Sequence, residues 1–280
     1  MIIDCKTISA KIKNDLKRLV QEEDIVPGLA VIMVGDNDAS LTYVNNKIKA
    51  CEEVGFYSEA IHLPSNITTE EVIEEIRKTS CRQNIHGIIV QLPLPDGIDV
   101  YKVLSSIPPE KDVDCLTFEN IGRLSCSKSI FEPCTPKGIM TILRKNGIQI
   151  EGANCVIIGR SNIVGKPLAA LLTQANATVT LCHSKTKNLT EATRRADIII
   201  SAVGKSSFLT QDMVSEKSIV IDVGINRNKN GKLVGDADFP NIVDKIKAIT
   251  PVPGGVGVMT VASLLENTYK AAKNQIRSRK

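Results

Sequence analysis

Three polar residues recur at helical spacing within the predicted helix of residues 38–54: Ser40, Tyr43 and Lys47. Steps of three and four place them on one helix face. Beside them runs an apolar stripe with the same spacing: Leu41, Val44, Ile48 and Cys51. A lysine partly buried against such a stripe favours its neutral amine, which can act as a general acid or base. The alternative, which spacing alone favours, is a surface lysine whose stem covers apolar surface beside an amphipathic tyrosine.

Further polar residues follow a predicted strand, residues 87–91, and a pair of prolines. Gln91 closes that strand, at the edge of a parallel sheet where α/β sites gather. Asp112 and Asp114 flank Val113 after the prolines. Such a pair could hold a cation or the amide-like edge of a ligand, although a turn or helix cap is the more common use.

Residues 154–184 have the pattern of half a dinucleotide-binding unit. A β-branched run at residues 155–158 predicts a buried parallel strand, and residues 178–182 predict a second one. Between them lie glycines at 159 and 165, and Pro167 stands where a helix can begin. The N–H groups at a helix start can hold a phosphate. A βαβ unit that binds nothing, with glycines needed only sterically, is the alternative.

The end of the second strand indicates which dinucleotide would fit. An Asp or Glu at that position usually binds the ribose 2′-OH of NAD. This chain has Cys182, His183, Ser184 and Lys185 there, and Arg160 lies in the first turn. Because cations and hydroxyls suit a 2′-phosphate, the sequence predicts NADP.

Residues 250–260 contain a loop with two prolines and three glycines. Such a loop is rigid, and its backbone can approach a ligand closely. It leads into a predicted terminal helix at residues 258–276. This composition predicts that the loop forms part of a binding site. The alternative is a purely structural turn.

The elements that carry these residues alternate between strands and helices. That alternation predicts a parallel α/β fold, and 280 residues suggest two domains. The boundary is expected between residues 117 and 135. Two α/β halves would leave a cleft, a common place for a substrate beside a cofactor.

Composition excludes several classes of partner. A net charge of +4 without basic and aromatic clusters does not indicate nucleic acid. No apolar run reaches transmembrane length, and the N-terminus lacks a secretory pattern. Eight scattered cysteines and three histidines lack metal-ligand spacing, so no metal site is predicted. Reduced, mostly buried thiols in a cytoplasmic protein are expected.

Eight motifs in order resemble the bifunctional methylenetetrahydrofolate dehydrogenase/methenyltetrahydrofolate cyclohydrolases along nearly the whole chain. Each motif is weak alone, whereas the ordered set is specific. The motifs are Tyr43-Val-Asn-Asn-Lys47, Val90-Gln-Leu-Pro-Leu94, Lys111-Asp-Val-Asp114, Pro133-Cys-Thr-Pro136, Gly159-Arg-Ser-x-Ile-Val-Gly-Lys-Pro167, Cys182-His-Ser184, Ile221-Asp-Val-Gly-Ile-Asn226 and Pro251-Val-Pro-Gly-Gly-Val-Gly257.

The resemblance implies an N-terminal α/β catalytic domain, residues 1–120 with the terminal helix 258–280, and a C-terminal Rossmann-like NADP-binding domain, residues 121–257. It implies a homodimer with a folate cleft between the two domains. NADP would oxidise 5,10-methylenetetrahydrofolate to the methenyl form, which water would convert to 10-formyltetrahydrofolate. No nucleic acid or membrane partner is expected.

By the same resemblance, Lys47 is catalytic, with Tyr43, Gln91 and Asp114 assisting it. Tyr43 would orient the folate, Gln91 would bond Lys47, and Asp114 would bind the pterin. Ser40 and the loop residues Pro253, Gly254 and Gly255 would complete the substrate site. The implied NADP-binding residues are Gly159, Arg160, Ser161, Ile163, Val164, Gly165, His183, Ser184, Val203, Gly204, Asp222, Gly224 and Ile225.

Three positions depart from the usual family pattern: Cys115 and Val258 replace a glycine and a proline near the folate site, and Ser206 replaces a common proline. The departures leave two further hypotheses beside the bifunctional enzyme. One is a dehydrogenase without useful cyclohydrolase activity, and the other is a non-catalytic protein that binds NADP or folate.

Overall fold

The computed structural model describes residues 1–278, without side-chain placements for residues 38 and 39. The chain forms two compact units. Residues 1–10 and 135–260 form the first unit; the second consists of residues 11–134 with 261–280, of which 279 and 280 lie outside the described residues. The two-domain α/β class predicted from the sequence is confirmed. Packing groups residues 121–134 with the second unit, and the functional boundary at 120/121 stays a prediction.

The helices and strands alternate for most of the chain. In order they are α1 Cys5–Glu23, β1 Gly28–Val34, α2 Asp38–Val54, β2 Tyr57–Leu63, α3 Thr69–Ser80, β3 Gly87–Val90, α4 Val100–Ser105, α5 Phe118–Ser125, α6 Cys134–Lys145, β4 Asn154–Ile158, α7 Gly165–Gln174, β5 Thr178–Cys182, α8 Leu189–Arg194, β6 Ile198–Ser201, β7 Ile219–Asp222, β8 Asn226–Arg227, β9 Leu233–Val234, α9 Phe239–Ile242, β10 Ala248–Ile249 and α10 Val256–Ser278.

The sheet of the second unit has the order β2-β1-β3, with both pairs parallel. Every residue of the central strand β1 is buried, because both faces of the sheet are covered. Alternation along β1 sends Leu29, Val31 and Met33 into a core with α1, α2 and α10. Ala30, Ile32 and Val34 enter the opposite core with α3 and α4.

Local signals fix the ends of α2, the helix that carries Ser40, Tyr43 and Lys47. The side chain of Asn37 accepts a hydrogen bond from the backbone N–H of Ser40 at 3.0 Å, which caps the helix start. Gly55 ends the helix with φ 82°, a left-handed conformation that glycine adopts without a Cβ clash. The predicted bounds of this helix are confirmed.

The sheet of the first unit has five parallel strands in the order β10-β7-β6-β4-β5. The chain passes from β4 outward to β5 and then returns to β6 on the other side of β4. This reversal makes a topological switch point between β4 and β6. Ligands of doubly wound sheets bind beyond the carboxyl ends of the strands at such a point.

Several short elements were not predicted from the sequence: α4, α5, α8, α9 and the antiparallel hairpin of β8 and β9. Each has eight residues or fewer, which is shorter than the window over which hydrophobic periodicity identifies an element. The last strand of the five-stranded sheet, β10, consists of only Ala248 and Ile249. Among residues 1–278, no helix is both long and apolar enough to cross a membrane.

Candidate active site

Lys47 and Gln91 meet in the second unit. Lys47 Nζ donates to Gln91 Oε1 at 2.9 Å, and both side chains are partly buried. Gln91 follows the last residue of β3, and its backbone N–H donates to Ile32 O of β1, which extends the sheet pairing by one residue. Gln91 Nε2 donates to Leu92 O at 2.7 Å. That second bond fixes the amide so that its oxygen faces the lysine.

Tyr43 and Ser40 occupy the same face of α2 in different environments. Tyr43 lies one turn before Lys47 and is 41% exposed, so its ring is accessible to a ligand. Ser40 is only 3% exposed. The apolar stripe of α2 packs on the core of the unit, as the spacing predicted. Packing therefore holds the helix in one rotation, with Tyr43 outward and Lys47 toward Gln91.

The two carboxylates of the Asp112–Asp114 pair have different surroundings. Asp112 is 1% exposed and accepts hydrogen bonds from the backbone N–H groups of Leu116 and Thr117 and from the side-chain amide of Asn120. Burial raises the pKa of Asp112, and these hydrogen bonds oppose the shift. Asp112 is thus the turn and cap residue of the pair. Asp114 is partly buried and is the one that a ligand can reach.

The terminal helix α10 holds the backbone next to Asp114. Asn267 is 1% exposed, and its Nδ2 donates to Val113 O and to Glu132 O, each at 2.8 Å. Sequence analysis did not select this residue. Its only signal was a polar side chain within an apolar helical face. The contact fixes the carbonyl that immediately precedes Asp114.

Cys115, one of the departures from the family pattern, has φ 58° and is fully buried. Glycine is favoured at such a left-handed position, because any Cβ costs energy there. The thiol Sγ donates to Phe131 O at 3.2 Å. Burial raises the pKa of this thiol, so it stays protonated and can donate. Val258, another departure, lies in the first turn of α10, where proline is also tolerated.

In the first unit, the turn after β4 lies against the turn after β6. A Cβ on Gly159, which has φ 125°, would lie 2.3 Å from Ala202 O. A Cβ on Gly165 would lie 2.0 Å from Gly159 O. Only glycine permits these backbones to come so close, which makes a narrow cradle at the switch point.

The start of α7 departs from the expectation that its N–H groups are offered to a phosphate. The N–H groups of Val164 and Gly165 donate to Ser161 Oγ, at 3.1 and 3.4 Å, and Lys166 N donates to Ser161 O. The Ser161 hydroxyl accepts both bonds, which leaves its own hydrogen to donate outward. Anion binding at this turn would therefore use the Ser161 hydroxyl and the helix dipole.

The carboxyl end of β5, next to β4, carries no acidic side chain. His183 Nδ1 accepts from the N–H of Lys185 at 3.1 Å, and His183 N donates to Thr186 Oγ1 at 2.8 Å. These bonds shape the loop around Ser184. Ser184, Arg160 and Ser161 are all exposed. Hydroxyls and a cation without a nearby acid fit a ribose 2′-phosphate better than a free 2′-OH.

Asp222, the last residue of β7, and Asp236, which follows β9, are buried carboxylates. Asp222 accepts from the N–H groups of Gly224, Asp236 and Ala237 at 2.8–2.9 Å. Burial raises its pKa against those bonds. The Asp222 carboxylate therefore binds backbone N–H groups of the protein itself. Sequence analysis missed Asp236 because it lies in no helix or sheet strand.

The remaining predicted residues lie along the rims of the first unit. Ile163 and Ile225 are 44% and 47% exposed, Val164 and Val203 are partly buried, and Gly204 is exposed. The loop with Pro253, Gly254 and Gly255 also belongs to the first unit, whereas Ser40, Tyr43, Lys47, Gln91 and Asp114 belong to the second. A Cβ on Gly254 would lie 2.6 Å from Cε of Lys6.

None of the predicted site residues lines the cavity of about 1120 Å³ in the first unit. Its walls include Arg194, Gln211, Asp212, Glu216 and Asp244. Glu216 and Asp244 precede β7 and β10, which puts the cavity near the amino ends of these strands. Ligand sites of parallel sheets lie at the opposite ends. Among residues 1–278, no three His, Cys, Asp or Glu side chains form a group that could hold a metal ion.

Two family models match the chain, and one covers Lys47, Gln91 and Asp114 while the other covers the glycine turns of the first unit. The catalytic-domain model of tetrahydrofolate dehydrogenase/cyclohydrolase matches residues 3–114, and the NAD(P)-binding-domain model of the same enzyme matches residues 133–276. Over 280 residues, the chain is 52% identical to the bifunctional protein FolD of Lachnoclostridium phytofermentans. The alignment covers 99% of each chain.

Two solved structures are similar over the full chain. The bifunctional FolD dehydrogenase/cyclohydrolase of Campylobacter jejuni is 51% identical with a TM-score of 0.95, covering 98% of this chain and 99% of that one. The Trypanosoma brucei enzyme, solved with NADP and an inhibitor, is 37% identical with a TM-score of 0.94, covering 99% and 98%. The protein therefore belongs to the tetrahydrofolate dehydrogenase/cyclohydrolase family.

Proposed function

We propose that this protein oxidises 5,10-methylenetetrahydrofolate with NADP and hydrolyses the product, 5,10-methenyltetrahydrofolate, to 10-formyltetrahydrofolate in one-carbon metabolism. The observation that carries this proposal is the Lys47–Gln91 hydrogen bond, which presents an amine beside the exposed ring of Tyr43. The relatives of about half identical sequence are named bifunctional, which supports two activities in one chain.

Substrate recognition is assigned to four side chains of the second unit: Ser40, Tyr43, Gln91 and Asp114. The Asp114 carboxylate accepts N–H donors from the pterin edge, an arrangement suited to a charge-assisted hydrogen bond. Tyr43 stacks on or orients the folate, and Ser40 supports this helix face. The rigid loop of Pro253, Gly254 and Gly255 contributes backbone contacts to the folate.

Cofactor recognition is assigned to residues at the carboxyl ends of β4–β7. Bound NADP would supply the hydride acceptor for oxidation of the folate's bridging carbon. Gly159 and Gly165 allow close backbone approach, and Arg160, Ser161 and Ser184 bind the 2′-phosphate. Ile163, Val164, His183, Val203, Gly204 and Ile225 line the site, while Asp222 and Gly224 shape the turn after β7.

Lys47 is the catalytic residue of the hydrolytic step. A water oxygen bonds to the cationic bridging carbon, and one water proton passes to the Lys47 amine. The bond from that carbon to N5 then breaks, N5 takes a proton, and the second water proton is released as the formyl carbonyl forms. The hydrogen bond to Gln91 Oε1 holds the Lys47 amine in place.

The functional division, the assembly and the location are part of the same proposal. Residues 1–120 with 258–280 would form the folate-binding catalytic domain, and residues 121–257 the NADP-binding domain. The family resemblance supports a homodimer. Eight free cysteines, six of them buried, support a reducing compartment such as the cytoplasm.

One assay separates this proposal from its alternatives. The purified protein is mixed with methylenetetrahydrofolate and NADP, and NADPH and the methenyl absorbance are followed separately. NADPH should accumulate while the methenyl species decays faster than in buffer. Absence of NADPH would contradict both enzymatic readings and leave a binding protein. Methenyl product that decays at the uncatalysed rate would leave a dehydrogenase alone.

A further inference from the structure

A loop in the first unit, formed by Val203, Gly204 and Lys205, directs three consecutive backbone N–H groups at one carboxylate. Asp236 Oδ2 accepts from Val203 N at 2.7 Å and from Gly204 N at 3.2 Å, and Oδ1 accepts from Lys205 N at 2.9 Å. Successive N–H groups that converge in this way form an anion-binding nest. Here the protein's own side chain fills the nest.

Two side chains complete the environment of Asp236, which is fully buried. Asn226 Nδ2 donates to Oδ1 at 3.0 Å, and Ser201 Oγ donates to Oδ2 at 3.3 Å. The five donors compensate the cost of burying this charge. They come from the end of β6 and from β8, which follows the turn after β7, so a single carboxylate ties these two segments together.

Asp222 fixes Asp236 in turn. The N–H of Asp236 donates to Asp222 Oδ1 at 2.8 Å. Gly224 and Gly235 are required for this packing, because a Cβ on Gly224 would lie 2.2 Å from Asp236 Oδ1 and one on Gly235 would lie 1.9 Å from Asp222 Oδ2. The paired carboxylates therefore hold backbone at the carboxyl ends of two strands beside the switch point.

We propose that Asp236 is a positioning residue for the dinucleotide site, which sets the Val203–Lys205 loop and the turn at Gly224 and Ile225 in the shape that receives the cofactor. The inference rests on the proposed function, since it assumes that this edge binds NADP. Because Asp236 takes the N–H groups of the loop, these groups are not offered to a phosphate. The loop instead contributes its shape and its outward side chains.

The test is direct titration of NADPH, followed by its fluorescence, into wild-type protein and Asp236→Asn. The asparagine keeps the volume but turns an N–H₂ group toward backbone donors, so NADPH affinity should fall about tenfold or more. Asp197→Asn is the matched control. Asp197 also accepts a backbone N–H, that of Asn154 at 2.9 Å, but at the amino ends of β4 and β6. Its NADPH affinity should stay within about twofold of wild type.

Circular dichroism and thermal unfolding report whether the first unit, which carries Asp236, is folded in each variant, and hydrolysis of methenyltetrahydrofolate without cofactor reports whether the second unit, which carries Lys47 and Gln91, is intact. Asp236→Asn should retain both the fold and hydrolysis. If Asp236→Asn loses hydrolysis, the milder variant Asn226→Ala is used in its place, because it removes only one of the five donors. The NADPH affinity of Asn226→Ala should fall by about threefold. Unchanged NADPH affinity in whichever variant retains hydrolysis overturns the role of Asp236. Wild-type protein that fails to bind NADPH instead contradicts the proposed function.

Discussion

Lys47 Nζ lies 2.9 Å from Gln91 Oε1, although 44 residues separate the two in the chain. The lysine is on a helix and the glutamine follows a strand, so the contact exists only because α2 packs on the sheet. The amide is oriented by its own bond to Leu92 O. A fixed acceptor of this kind would hold the Lys47 amine in place for the proposed hydrolytic step.

Replacing Lys47 by methionine should abolish hydrolysis and preserve the fold. General acid–base catalysis contributes about 10²–10⁴-fold, so the rate of methenyltetrahydrofolate decay should approach that of buffer. Lys49→Met is the control, because Lys49 is exposed on the same helix and should be silent. Circular dichroism should be identical for the three proteins. Hydrolysis retained in Lys47→Met would remove this residue from its role.

Replacing Gln91 by glutamate should slow hydrolysis through charge rather than through shape. A carboxylate at the position of Oε1 is a stronger, charge-assisted acceptor for Lys47 Nζ than an amide, so it should hold that nitrogen away from water and slow hydrolysis by about tenfold or more. Gln91→Met lacks both the acceptor and the charge and should retain more activity than Gln91→Glu. Equal rates of methenyltetrahydrofolate hydrolysis in the two variants would exclude the electrostatic explanation.

Arg160→Ala should weaken the preference for NADP. Loss of a charge-assisted hydrogen bond to the 2′-phosphate should reduce kcat/KM with NADP by about 10–100-fold, with little change for NAD. Lys166→Ala is the control, since Lys166 Nζ bonds Asn162 Oδ1 at 2.7 Å near the same turn. A wild-type preference for NAD, or equal losses with both dinucleotides in Arg160→Ala, would defeat the assignment.

The raised pKa of Asp112 predicts a specific pH dependence of stability. A carboxyl whose folded pKa exceeds its unfolded value stabilises the protein most when protonated, so its contribution falls as pH rises from about 3.8 through the folded pKa. Asp112→Asn lacks this titration. In urea unfolding between pH 4 and 7, the free energy of unfolding of the variant should therefore increase relative to that of the wild type as pH rises. Movement in the opposite direction would show that the hydrogen bonds to Asp112 outweigh its burial.

Two substitutions of Cys115 should differ in their effect on the free energy of unfolding. Glycine relieves the strain of φ 58° but loses the thiol bond to Phe131 O, so the free energy of unfolding should change by less than about 1 kcal/mol. Valine is β-branched and cannot donate, so it should destabilise by about 2 kcal/mol or more. Urea unfolding measures both. Equal stability of the two variants would show that backbone strain is unimportant at this position.

The sequence determined the class of the fold and most of the elements that carry the site. The apolar period of α2 was sufficient to place Ser40, Tyr43 and Lys47 on one face, because helix geometry fixes that relation locally. The glycines at 159 and 165 and the missing acid after β5 were likewise readable from the chain, whereas the distant partner that requires glycine at 159, Ala202 O, was not.

Tertiary structure decided which polar groups meet. The spacing of Asp112 and Asp114 did not show that Asp112 would accept hydrogen bonds from backbone N–H groups while Asp114 stayed accessible to a ligand. The nest filled by Asp236 combines residues 201–205, 226 and 236, whose proximity follows from strand order and from a hairpin too short to show a period. Contacts between residues distant in the chain depend on packing of the whole unit, and that information is absent from any local pattern.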